Sequence, residues 1–72
     1  MTRAEFLNEL KDILQRDDSL EPEMVLKDLE EWDSLSIMAL AGFFDQHFSK
    51  ILHFTDIESF ITVEDLMIAA GI

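Results

Sequence analysis

The chain has no cysteine and no tyrosine, one proline, and two glycines among 72 residues. Without cysteine there is no disulfide framework, no thiolate metal site and no cysteine nucleophile. Basic residues are scarce as well: five Lys and Arg stand against sixteen Asp and Glu, for a net charge of −11. That deficit argues against binding nucleic acid, whose phosphates are contacted by Lys and Arg. Long apolar runs are missing. The longest near-apolar stretch, Ile37 to Phe44, falls far short of the about 20 residues that a membrane-spanning helix needs. The opening residues Met1-Thr2-Arg3-Ala4-Glu5 do not carry the apolar core of a signal peptide. No membrane span and a cytoplasmic location are therefore expected.

What the chain does have is enough apolar material for one core. Hydrophobic residues make up 49% of it, too many for a disordered tail. One domain over residues 1–72 is expected. A chain of this size buries only about 60% of the surface its unfolded form exposes, which leaves no room for an enclosing substrate cleft beside a core. The acidic surplus favours steering toward basic protein patches. It also makes the acids repel one another, so the fold should loosen at low salt.

Thr2 followed by Glu5 reads as a capping box opening a first helix of about residues 3 to 15. Phe6, Leu7, Leu10, Ile13 and Leu14 recur at helical spacing and form its apolar stripe. Residues 16 to 33 read as a long irregular connection, because Pro22 cannot sit inside a helix. Met24, Val25, Leu26 and Leu29 are the expected pins that hold such a loop down. A second helix should span about 34 to 48, with Leu35, Met38, Leu40, Ala41, Phe44 and Phe48 toward the core. Gly42 in its middle costs about 1 kcal/mol relative to Ala, and a close helix–helix approach would account for it. Thr55 with Glu58 signals a short helix of about 56 to 60, and Thr62 with Asp65 a last one of about 63 to 70. Val63, Leu66, Met67 and Ala70 would face inward, and Gly71 would stop that helix. The expected fold is all-α: a bundle of three longer helices and one short one, with a long loop between the first and second.

The chain is organised around Leu29-Glu30-Glu31-Trp32-Asp33-Ser34-Leu35. Asp33 and Ser34 stand where the second helix begins, and both are good N-cap types. A serine there presents its hydroxyl at the positive end of a helix dipole, where free N–H groups stabilise a phosphate. Asp33-Ser34-Leu35 at the head of an apolar helix resembles the Asp-Ser-Leu motif of the acyl carrier proteins. The order of elements is similar over the whole chain. From Ser34 onward the register fits without a gap, through Phe48, Asp56 and Thr62-Val63.

The resemblance implies a four-helix carrier domain with no catalysis of its own. Ser34 would carry a covalent 4′-phosphopantetheine arm, attached by a phosphopantetheinyl transferase. The arm would hold acyl groups as thioesters for ligase or synthase partners with basic or apolar patches. Asp33, Leu35 and Trp32 would flank the attachment point. Asp33 would cap the helix or orient the transferase's cofactor, and Leu35 would anchor the corner. Trp32 would be a half-buried lid on the core edge or a contact beside the arm.

Two departures from the family bear on the partners. Trp32 replaces a common Gly, and the second helix lacks most of the family's outward acids. Of these only Asp45 remains, the others being moved upstream to Asp28, Glu30, Glu31 and Asp33. Docking is therefore expected to be more apolar, through Ile37, Ala39 and the Phe43 region, with Asp45, Glu30 and Glu31 beside it. A specialised polyketide, peptide or modified fatty-acid pathway fits this better than general fatty-acid synthesis, and a monomer is expected.

Other chemistries fit less well. No Gly-x-Ser-x-Gly elbow surrounds Ser34, and His47 and His53 lie far along the chain, which argues against a serine nucleophile. No metal site is expected. The two histidines lack a helical pairing, and Asp17 to Glu23 lacks the alternating ligands and central Gly of a calcium loop. The competing reading is an acidic helical protein-interaction module without a prosthetic group.

Overall fold

The computed structural model describes residues 1–72. Four α-helices follow one another: α1 Arg3–Leu14, α2 Ser34–Phe48, α3 Phe54–Glu58 and α4 Val63–Ala70. There is no sheet, only an isolated antiparallel bridge between Val25 and Thr62. None of the helices is long and apolar enough to cross a membrane.

Each helix starts where its capping chemistry dictates. Thr2 Oγ1 accepts from the Glu5 N–H at 3.1 Å, while the Thr2 N–H donates to Glu5 Oε1 at 2.8 Å. Thr62 and Asp65 repeat the arrangement at α4. Gly71, at φ 81°, ends α4 in the left-handed region that glycine enters without steric cost. Gln15 and Ser49 close α1 and α2 in the same region without that freedom.

The short third helix departs from the sequence reading. It begins at Phe54, two residues early, and its cap is His53. Asp56 Oδ2 accepts from the His53 N–H at 2.9 Å. Thr55 therefore lies inside the helix, and Asp56 takes the reciprocal place that Glu58 was expected to fill.

One core serves all four helices. It comprises Phe6, Leu10 and Leu14 of α1, Ile37, Leu40, Phe43 and Phe44 of α2, Ile57 of α3, and Val63, Leu66, Met67 and Ala70 of α4. Phe6, Phe43, Phe44 and Phe48 form its aromatic centre, with ring centroids 5.5 to 6.3 Å apart. Most of these pairs are edge-on, the arrangement that ring quadrupoles favour. Phe54 is 36% exposed and takes no part in it.

Helix α2 is rotated relative to the sequence reading. Ile37 and Phe43 are buried, whereas Leu35 and Met38 are 78% and 63% exposed. An almost uniformly apolar helix has no polar face to fix its rotation from sequence. Here the rotation is fixed by the aromatic centre, which takes Phe43 together with Phe44. Gly42 lies on the outward side, and a Cβ built there meets nothing within 4 Å. No close helix approach accounts for it.

The loop of residues 15–33 is tied down along its length. Leu20, Leu26 and Leu29 plug into the core, and Met24 and Trp32 pack against it. Leu26–Asp28 forms a single 3-10 turn within a segment that otherwise reads as irregular. Val25 is partly exposed and contributes through its backbone: the Leu26 N–H donates to Ile61 O at 2.9 Å, and the Val63 N–H to Met24 O at 3.0 Å. Arg16 Nη1 donates to Glu31 Oε1 at 3.1 Å, so the two ends of the loop are clamped together.

Candidate functional site

The end of the loop and the first turn of α2 form the candidate site. Asp33 is the N-cap, in extended backbone. Its Oδ1 accepts from the Ser36 N–H at 2.9 Å, and its own N–H donates to Ser36 Oγ at 3.0 Å. Ser36 Oγ in turn donates to Asp33 O at 3.0 Å. Ser36 is buried, and it is the residue that sequence reasoning overlooked at this corner. The signal was present, because a serine three residues after an N-cap can play the part that Glu or Gln usually plays.

Ser34 is thus the first residue of α2 and not its cap. Its side chain is exposed and makes no hydrogen bond within the protein. The backbone N–H groups of Ser34 and Leu35 also lack protein partners, since the Asp33 side chain takes the Ser36 N–H and the Asp33 carbonyl takes the Ile37 N–H. An exposed hydroxyl, two unpaired N–H groups and the positive end of a fifteen-residue helix meet at one point. These groups fit a phosphate ester on Ser34 Oγ.

The other residues named from the sequence fall into two sets. Trp32 is half-buried at the core edge, and Leu35 points into solvent and does not anchor the corner. Ala39, Asp45 and Glu30 are exposed, and Glu31 is partly covered by its pairing with Arg16. Ile37, expected on the outer face, is only 3% exposed, and Phe43 only 8%. Both are therefore withdrawn from any docking surface. The residues that the structure presents on that face are Leu35, Met38, Ala39 and Gly42. Their spacing is the outward counterpart of the buried Ile37, Leu40 and Phe44.

A groove of about 410 Å³ opens beside Ser34, between the end of α1 and the start of α2. Ile13, Leu14, Leu35 and Ala39 supply apolar surface, and Gln15, Glu31, Asp33 and Ser36 supply polar groups. Two further grooves lie elsewhere, one between the 3-10 turn and the end of α3, the other between α1 and Ser19 to Glu21. None of the three is lined by Phe6, Leu40, Phe44 or Ile57. Among the histidines, His47 lies against Phe43 with ring centroids 4.6 Å apart and planes tilted by 39°, and His53 is the N-cap residue of α3.

Comparison with models of known protein families finds no match, and neither curated proteins nor solved structures yield a significant relative.

Proposed function

We propose that this domain is an acyl carrier whose Ser34 bears a 4′-phosphopantetheine arm. The observation that carries the reading is the unengaged Ser34 hydroxyl on the first turn of α2, beside two unpaired backbone N–H groups. A swinging arm needs an attachment point that is exposed yet rigid, and the reciprocal Asp33–Ser36 bonds supply the rigidity. The arm supplies a terminal thiol for thioester formation when bound. The chain's own residues fix the backbone turn that carries the attachment oxygen and leave that oxygen exposed to solvent. The domain itself performs no catalysis.

Partners would meet the outward face of α2 at Leu35, Met38 and Ala39, with Glu30, Asp33 and Asp45 exposed around it. An apolar strip flanked by carboxylates suits an enzyme patch that is apolar at its centre and basic at its rim. The net charge of −11 accelerates such encounters without requiring a large dry interface. These features favour a phosphopantetheinyl transferase and acyl ligases or synthases of a specialised polyketide, peptide or modified fatty-acid pathway.

An acidic interaction module without a prosthetic group is the second reading, and the exposed Leu35 and Met38 favour it equally. Incubation with coenzyme A and a broad-specificity phosphopantetheinyl transferase separates the two. Intact mass should rise by one arm in the wild type and not in Ser34→Ala. No gain with several transferases favours the interaction module.

A further inference from the structure

We infer that the groove between the end of α1 and the start of α2 is the resting berth of the arm attached to Ser34. The inference depends on the attachment reading and adds to it where the arm lies. Three observations point to this groove.

The first is continuity. Asp33, Leu35 and Ser36, on both sides of the attachment residue, line it, and neither of the other two grooves includes a residue from 33 to 36. A chain leaving Ser34 therefore meets this surface before any other concavity.

The second is the closed interior. Phe6, Leu40, Phe44 and Ile57 are fully buried, and four phenylalanine rings fill the centre with centroid spacings of 5.5 to 6.3 Å. Withdrawal of an arm into the core would have to displace those rings from close packing, which is costly.

The third is chemical fit. Pantetheine offers a geminal dimethyl group, a hydroxyl and two amides. The groove sets Ile13, Leu14 and Ala39 beside the Gln15 amide and the Glu31 carboxylate. Glu31 is held in place through Oε1 by Arg16, which leaves Oε2 to accept from an arm amide. All three grooves are of small-molecule size, so it is the place beside Ser34 and the mixed lining, not the volume, that singles this one out. The groove is neither enclosed nor flat, so the arm rests there without being trapped and remains available to partners.

The test is NMR on the loaded protein. ¹⁵N-labelled apo and enzymatically loaded samples are compared, together with Ile13→Trp, which fills the groove from a half-buried position on α1, away from the face of α2 given to partners. Loading is verified by mass in each case, and folding by the dispersion of the amide spectrum. Shifts at Ile13, Leu14, Gln15 and Glu31, with Overhauser contacts from the geminal methyls to Ile13 and Ala39, are the expected result. In Ile13→Trp the protein should gain the same mass but lose the contacts to Ala39. Loading with shifts confined to residues 33–36, or contacts instead to the buried Leu40 and Ile57, overturns the berth while the attachment stands. Absence of any mass gain overturns both.

Discussion

Asp33 and Ser36 hold each other across the first turn of α2, each side chain accepting the other's backbone N–H at 2.9 to 3.0 Å. This reciprocal pair leaves Ser34, one residue into the helix, with nothing inside the protein to bond to. Replacing Asp33 with Ala should cost about 1 kcal/mol, the usual worth of an N-cap side chain. Ser36→Ala should cost less, because Asp33 lies at the surface, where the N–H it releases can turn to water. The double variant should lose less than the sum of the singles, since both remove one shared arrangement. Chemical denaturation of the four proteins checks the cycle, and strict additivity would show that the two bonds are independent.

Truncation within the aromatic centre should be severe. Phe44 is fully buried and lies within 6.3 Å, centroid to centroid, of Phe6, Phe43 and Phe48. Phe44→Ala should cost about 3–5 kcal/mol. For a domain of this length that removes most of the stability. Far-UV circular dichroism at 25 °C should show extensive loss of helix. A cooperative melt close to that of the wild type would contradict the assigned core.

The two glycines should respond in opposite directions. Gly42 is exposed, in the middle of α2, and a Cβ there meets nothing. Gly42→Ala should stabilise the fold by about 0.5–1 kcal/mol. Gly71 sits at φ 81°, where a side chain is strained, so Gly71→Ala should lower stability by about 1 kcal/mol. Thermal melts of both variants, read against the wild type, check the signs.

Acid should weaken the fold through its caps. The backbone N–H groups of Thr62 and Ile61 donate to the Asp65 carboxylate and hold it below its ordinary range, and the Thr2 N–H does the same for Glu5. A carboxylate with a lowered folded value contributes stability that is complete above the unfolded value, about pH 4. That contribution is lost as pH falls through the folded value. Protonation of the many other acids relieves mutual repulsion and acts in the opposite sense. Comparison with Asp65→Asn isolates the cap. The variant should be less stable at pH 7, and the difference from wild type should shrink as pH falls below about 4. A difference that stays constant with pH would exclude a titrating cap.

Local signals in the sequence set the all-helical class, the starts of α1, α2 and α4, the stop at Gly71 and the exposed serine at the head of α2. These depend on contacts within three or four residues, and the side chains that make them can be read directly from spacing. Tertiary packing decided the rest. The expected start at Thr55 gave way to one at His53, whose N–H donates to the Asp56 carboxylate, in the short helix that buries Ile57. The rotation of α2 was not legible, since an apolar helix offers several inward faces of nearly equal hydrophobicity. The aromatic centre selected the one carrying Ile37, Leu40 and Phe43, and thereby turned Leu35 and Met38 outward. The groove beside Ser34 was likewise invisible in the sequence. It is formed by Ile13 to Gln15 together with Glu31, Asp33, Leu35, Ser36 and Ala39, which lie on either side of the loop clamped by Arg16 and Glu31.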